Sequence, residues 1–492
     1  MAAPRPRVPM SSGVAMSTEI ACGPSGMPAR EFATRVMGAD PGLQLRALAV
    51  PPLLTADSPG IIVVDMMVGS ARDLGSVRDH RLDEITLEQV AVRAVVCLEP
   101  WAHPSGATPS PWRHHMARIL FVTWDGGGNV PPALGIATEA RNRGHQVRFL
   151  GHAQQRRRIE RHGFRFTPYV HARPWQSTTN HPGITGLYQS LAVFTDAGPG
   201  IDLLDTVARE PIDVVVVDCL LYGALQAAAD AHLTRVTLVH TYYEFMYQGV
   251  TRGVTPVMAR LKGQRPLRLW TSSDLALVTT DKDLDPASHR SLPASVHYTG
   301  VVRHPMPSPL TPVSERDPLI LVSLSSLNFD GQQRALQNIL EAVGGLPAHT
   351  VVTTGPSVDP TGFTAGPNTE VHGYVPHEQI LPTATLVIGH GGHDTTMRAL
   401  AHDLPLVILP IHPALDQKMI GRSLEQRGVA RCLRKTAAPE RIRSAVGKLL
   451  VAGPHRTTAA TLGARIRAHD GAVHAADLID QLPIRERRRG VR

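Results

Sequence analysis

The chain has 492 residues, 42% of them hydrophobic and 19% charged, with a formal net charge of +8. That length allows two or three domains, and no window of about 18 continuous apolar residues marks a transmembrane helix. Aromatic residues are only 4%, with no interleaving of basic and aromatic side chains, so nucleic acid is not an expected partner. Cys22, Cys97, Cys219 and Cys432 are scattered without CxxC or framework spacing, which suggests free thiols in a reducing compartment. The amino terminus has no apolar core behind its basic residues and does not read as a secretion signal, so a cytoplasmic protein is expected. Only 5 of the 50 basic residues are lysine, the coding bias of a GC-rich bacterial genome.

Residues 1–115 hold 13 of the 41 prolines, no lysine and little sustained periodicity. Segments 61–64 and 90–96 are the best candidates there for strands or short helices. Such a stretch struggles to bury enough surface to offset its ordering entropy. It is read as a disordered extension or as upstream sequence outside the natural product, with a small accessory domain as the alternative. Met116, which leads directly into a strand, is a candidate start.

From Arg118 strands and helices alternate. Strand 119–123 precedes helix 131–143, stopped by Gly144. Strand 147–150, a basic helix at 153–162 and strand 164–169 follow. Residues 172–200 read as loop. Strand 212–217, helix 222–232, strand 236–240 and strands 275–278 and 296–298 complete a first domain, 116–300. Residues 301–318 are rich in Pro and Ser and read as a linker. A second domain, 319–483, repeats the alternation with strand 319–323, helix 332–343 and strands 350–353 and 370–372. After the 387–417 unit come helix 417–427, strand 429–433 and long helices at 438–451 and 456–481. Short apolar strands between amphipathic helices predict parallel sheets covered on both faces. The Arg-rich tail, 484–492, reads as solvated, with weak adhesion to an anionic membrane surface at the inner face as the alternative.

The strongest chemical signal runs from Val387 to Gln417. A buried strand is followed by the turn His390-Gly391-Gly392 and by a helix opening with Asp394, Thr395 and Thr396. Glycines admit close approach of a bound group, and hydroxyls with free N–H groups at a helix start suit an anion such as phosphate. Beyond a second apolar strand, Asp416 and Gln417 offer a carboxylate and an amide suited to sugar hydroxyls. A phosphate site followed by a sugar site suggests a nucleotide-diphosphate sugar. Read blandly, the same unit is a strand-helix-strand whose His and Thr are only caps.

This stretch resembles the donor-binding signature of family 1 glycosyltransferases through His390, Gly391, Gly392, Thr395, Thr396, Ala399, Leu400, Pro405, Pro410, Asp416 and Gln417. The resemblance implies an α/β protein of the GT-B fold, two Rossmann-like domains facing across a cleft, with the last helix packed back on the first domain. It implies inverting transfer of a sugar from a UDP- or dTDP-sugar to a hydroxyl of a lipid or small natural product, with no cofactor and no metal. It places His390, as a ring N–H or a cation, and Thr395 and Thr396 at the diphosphate, and Asp416 and Gln417 at the sugar. Tyr374 would stack on the base, Val375 would offer its backbone, and His377 would stand near the ribose. Ser323 and Ser326 would lie near the diphosphate, with helix capping as the alternative for Ser326. This chain departs from the pattern at Asp394, read as the helix N-cap turned from the ligand, and at Arg398, where plant members have a ribose-binding Glu. Ser325 replaces a glycine, and the segment from Pro410 to Asp416 is about two residues longer than usual.

The acceptor side departs further. Asn129 stands where the family often has a catalytic His, and an amide is no base. Asp125 in the same loop is the first substitute, Asp218 after strand 212–217 the second, and His240 and Asp196 are weaker ones. A catalytically silent nucleotide-sugar-binding protein and a sugar-nucleotide epimerase are the rival readings. Asp281-Lys282-Asp283 matches the short metal-binding Asp-x-Asp motif of another transferase class and is read as a chance match.

Overall fold

The computed structural model describes residues 116–177, 183–303, 318–325, 327 and 329–483, and the backbone of three strands before them. Two compact units divide the chain, Met1–Arg113 and His114–Arg492. In the first, β1 (Leu43–Leu45), β2 (Ile61–Ser70) and β3 (Val90–Cys97) pair antiparallel in the order β1-β2-β3. Of the two forms expected at 61–64 and 90–96, strand is therefore the one adopted. The remainder of the 1–115 extension, most of the linker, Ser326 and the 484–492 tail lie outside the described residues.

The second unit opens with β4 (Arg118–Val122), α1 (Val130–Asn142), β5 (Gln146–Gly151), α2 (Arg156–Arg161) and β6 (Arg165–Pro168). Next come α3 (Gly183–Phe194), α4 (Gly198–Arg209), β7 (Val214–Asp218), α5 (Tyr222–Asp230) and β8 (Arg235–Val239). Helices α6 (Tyr243–Thr251), α7 (Val254–Leu261) and α8 (Pro266–Thr271) lead to β9 (Leu275–Val278) and β10 (Val296–Tyr298). The seven strands are parallel, in the order β10-β9-β8-β7-β4-β5-β6. Successive residues of β4 serve opposite faces: Leu120 and Val122 enter one core, Ile119 and Phe121 the other. That two-sided burial is why the strands read as unbroken apolar runs.

Residues 172–200 are not simply a loop, because α3 and the start of α4 fall there. Glycines here are contact points between helices. A side chain on Gly223 of α5 would meet the Asp196 carbonyl at 1.9 Å, and one on Gly200 of α4 would meet the Gly223 carbonyl at 2.6 Å. Close backbone packing, rather than chain reversal, requires these small residues.

The second half contributes β11 (Leu319–Ser323), α9 (Gln332–Val343), β12 (His349–Thr353), β13 (Thr369–His372), α10 (His377–Ile380), β14 (Leu386–Gly389), α11 (His393–Ala401) and β15 (Leu406–Ile408). It ends with α12 (Gln417–Gln426), β16 (Ala430–Cys432), α13 (Pro439–Leu450), α14 (Pro454–Ala468) and α15 (Gly471–Asp480). Its sheet is again parallel, β13-β12-β11-β14-β15-β16. The helix expected at 456–481 is two helices. Asp470 caps α15 by accepting from the Ala472 N–H, and Gly471 lies so close to Gly300 that an added side chain would meet its carbonyl at 2.3 Å. This break lets α14 pack in the second half through Ala459, Leu462 and Ile466, while α15 returns to the first through Ala472, Ala475 and Ile479. Arg143 seals that return with bonds of 2.7 Å to Asp477 and 2.9 Å to Asp480.

Both strand orders reverse direction once, between β4 and β7 and between β11 and β14. In parallel sheets the crevice beyond the carboxyl ends at such a reversal is where ligands bind. The ends of these four strands and the segments after them carry Asp125, Asn129, Asp218, Ser323 and the run from His390 to Thr396, while Tyr374 to His377 follow β13 and Asp416-Gln417 follow β15.

Candidate functional site

On the second sheet, Ser323 and Gly389 are register partners across the reversal, so the loops after β11 and β14 emerge side by side. Gly391 has φ +85°, and a side chain there would meet the Gln417 carbonyl at 2.8 Å and Ile408 Cγ2 at 2.9 Å. Only glycine fits that turn without strain. The close approach presses the His-Gly-Gly loop against the backbone of Asp416-Gln417, so the two signals adjoin in space.

Helix α11 starts at His393, with Gly392 as its N-cap and no side-chain cap. The reading of Asp394 as N-cap is therefore corrected: Asp394 is inside the first turn and lies 3.9 Å from Arg398. The extended backbone of Gly392 (ψ 137°) makes the break two residues earlier than a cap at Asp394 would. First-turn N–H groups have no partner within a helix, and the N-cap Gly392 has no side chain to offer them, a setting that suits an anion. Thr395 is partly exposed, whereas Thr396 is buried. His390 has a buried Nδ1 without a partner among the described residues. Burial pulls its pKa down to about 4, against a hydrogen bond with the Ser323 backbone. Of the two forms expected for it, these surroundings favour the neutral ring.

Asp416 accepts from Thr241 Oγ1 at 2.5 Å, a bond from the loop after β15 to the loop after β8. Gln417 is buried, and its Oε1 accepts from the N–H groups of Ile411 (2.7 Å) and His412 (3.0 Å). It thereby shapes the lengthened 410–416 loop. Ser323 is buried at the end of β11. Ser325 accepts from the Leu327 N–H, forming a short turn. The helix that follows, α9, has Gly331 at its N-cap.

Tyr374 is 77% exposed, an open ring rather than a core residue. Val375 is half-buried against the second-half core. His377 begins α10 with its Nε2 3.4 Å from Thr353 Oγ1; burial and then Arg398 lower its pKa. Arg398, which departs from the plant pattern, is paired with Glu378.

The first sheet brings the acceptor-side candidates to its own reversal. Asn129 after β4 and Asp218 at the end of β7 are both buried, and Asn129 Nδ2 donates to Asp218 Oδ2 at 2.8 Å and to the Trp124 carbonyl at 3.0 Å. Asp218 Oδ1 accepts from the Leu220 N–H. His240, after β8, places Nδ1 3.4 Å from Asp218 Oδ2. Asp125 is partly buried, and its Oδ2 accepts from the Ser177 N–H at 3.0 Å while its carbonyl accepts from Trp175 Nε1. Asp125 orders the loop at 175–177. Asp196 serves the backbone, accepting from the Arg173 and Gly198 N–H groups.

Asp218, Cys219 and His240 each present a ligand-type atom within 4.8 Å of the others. The Cys219 thiol is pushed well up by burial and then by Asp218, so it stays protonated, and a thiol is a poor metal ligand. Asp281 and Asp283 are both bonded to Arg465 of α14, at 2.7 and 2.8 Å, so the Asp-x-Asp run ties the two halves together. His393 was passed over in the sequence because it fills a variable place in the signature. In the fold it bonds Thr280 Oγ1 at 2.8 Å across the halves and meets the Tyr242 ring edge-on.

Residues 337–474 match the family described as Erythromycin biosynthesis protein CIII-like, C-terminal domain. The chain is 26% identical over 425 residues to the 4'-demethylrebeccamycin synthase of Lentzea aerocolonigenes, covering 74% of this chain and 99% of that one. Its fold is similar to the glycotransferase of kitacinnamycin, with a TM-score of 0.63 and 24% identity over 75% of this chain and 99% of the other. It is also similar to the spinosyn rhamnosyltransferase solved with thymidine diphosphate, with a TM-score of 0.59 and 17% identity over 74% of this chain and 100% of the other.

Proposed function

The chain belongs to the family 1 glycosyltransferases of the GT-B fold, and from that premise we propose that it moves a hexose or deoxyhexose from a UDP- or dTDP-sugar, with inversion, to a hydroxyl of a small natural product or lipid. One observation carries the reading: Gly391 presses the His-Gly-Gly loop and the uncapped start of α11 against Asp416-Gln417. An anion site and a sugar-hydroxyl site are thus adjacent, as a diphosphate sugar needs. A relative in complex with thymidine diphosphate supports the donor class, and the product names of the relatives support a natural-product acceptor.

In this reading the second half, 319–483, holds the donor. The first-turn N–H groups of α11, with His390, Thr395 and Thr396, face the diphosphate. Tyr374 stacks on the base, with Val375 and His377 beside it, and Asp416 and Gln417 hold the sugar. The first half, 116–300, presents the acceptor. Among the described residues no helix is long and apolar enough to cross a membrane.

Calorimetry with UDP and with dTDP tests the donor site, and donor consumption over a panel of polyhydroxylated aromatic and macrocyclic alcohols tests transfer. Binding that weakens in His390→Ala is expected. No binding of either diphosphate, or binding indifferent to that change, refutes the proposal. Isomerised donor sugar formed without acceptor would make the protein an epimerase instead.

A further inference from the structure

We propose that His240, held by Asp218, is the general base that takes the acceptor proton, and that Asn129 is a positioning residue for Asp218. The inference rests on the sugar-transfer reading above and supplies the base that the sequence leaves without an owner.

Three observations carry it. Asn129 uses both Nδ2 hydrogens, one on Asp218 and one on the Trp124 carbonyl, so its amide orientation is fixed and it has no basic lone pair. Asp218 is nearly sealed, with its side chain 2% exposed, and cannot itself reach an acceptor; the His240 side chain is 13% exposed. Finally, the neighbouring residue Thr241 bonds Asp416, so the His240 loop abuts the sugar-binding pair. A base beside the sugar is where an attacking hydroxyl must be deprotonated.

The pair works as follows. His240 turns Nδ1 to the Asp218 carboxylate. The tautomer with hydrogen on Nδ1 leaves a lone pair on Nε2. As the acceptor oxygen forms its bond to the anomeric carbon, the bond from that carbon to the diphosphate oxygen breaks. The nucleoside diphosphate leaves with that electron pair, and the hydroxyl proton moves to Nε2. Asp218 stabilises the imidazolium so formed. Solvent then takes the proton.

The groups facing His240 are Asp218 and Cys219 at the end of β7, Asp416 before α12, and His393 at the start of α11. Burial alone would lower the His240 pKa, but the charge and hydrogen bond of Asp218, with Asp416 behind them, more than offset it and the net shift is upward. Cys219 stays a thiol, and burial holds His393 at about 4, so neither adds charge at neutral pH.

The test compares wild type, His240→Gln, Asp218→Asn and Asp125→Asn, using UDP- and dTDP-glucose and the alcohol panel, with calorimetry of UDP and dTDP alongside. His240→Gln is expected to lower kcat by roughly 10²–10⁴-fold while diphosphate affinity holds. Asp218→Asn should shift the acidic limb of kcat/KM to lower pH, and the His240 ring, followed by NMR in the free protein, should titrate lower by the same sign. Asn129→His in the His240→Gln background should recover part of the rate, because position 129 already bonds Asp218. Wild-type turnover in His240→Gln, or loss confined to Asp125→Asn, overturns the inference alone. An unshifted His240 titration in Asp218→Asn also overturns it. A wild type that binds neither diphosphate and transfers nothing overturns the transfer reading and this one with it.

Discussion

Gly391→Ala probes the contact on which the donor site depends. The wild-type φ of +85° is left-handed, and an L side chain there is disfavoured by about 1–2 kcal/mol. The added carbon would lie 2.8 Å from the Gln417 carbonyl oxygen and 2.9 Å from Ile408 Cγ2. The first is backbone at the start of α12 and the second a side chain fixed in β15, so neither yields freely; overpacking of this kind is worth about 1–3 kcal/mol. Reduced freedom of the unfolded chain offsets roughly 0.4–1 kcal/mol. The net loss is on the order of 1–5 kcal/mol, and for a half of this size each kcal/mol lowers the thermal midpoint by about 2–4 °C. Differential scanning calorimetry measures the midpoint, and titration with UDP and dTDP measures affinity, which should fall because the loop must move from Gln417. Gly128→Ala is the control: it has no left-handed φ and no heavy atom within 4 Å of the added carbon. A Gly391→Ala protein with the control's midpoint and unchanged diphosphate affinity would refute the argument.

Two further outcomes are expected. Tyr374→Ala should weaken nucleotide binding by about 1–3 kcal/mol, the worth of one base–aromatic stack, without moving the thermal midpoint, since the ring is 77% exposed; a lowered midpoint with intact affinity would make the ring structural. His390 and His393 both have pKa values held down to about 4 by burial. The unfolded chain therefore binds more protons as pH falls from about 6.5, and stability that is full above that value declines toward pH 4. Thermal midpoints across this range should fall with pH, and less steeply in His393→Gln. An identical slope in that variant would mean His393 is already solvated.

Local pattern made much of the protein legible. Strand β11 and helix α9 fall at the residues their periodicity indicates. The His-Gly-Gly turn, the threonines and Asp416-Gln417 are contiguous in sequence, so composition and spacing alone identify an anion site followed by a sugar site. Where the reading strayed, glycine was the cause. Gly198 and Gly200 lie in a stretch that reads as loop but serve close backbone packing, and Gly392, not Asp394, caps α11. A glycine signals freedom of the backbone, and the sequence does not say whether a turn, a cap or a neighbouring helix uses it.

The pairing of side chains across the cleft was decided elsewhere. Asp218 and Leu238 are register partners on adjacent parallel strands, which carries His240 out beside the Asp218 carboxylate. The chain reversal between β4 and β7 brings Asn129 to the same carboxylate. Thr241 meets Asp416, and His393 meets Thr280, only because the carboxyl ends of two separate sheets face each other. Sequence determines what a residue can do with its near neighbours, since backbone preference and hydrophobic period act over a few positions. Which distant groups share a proton or a substrate follows from strand order and from the packing of the two halves, which bury the intervening chain and set the distances between loops that carry no signal of one another.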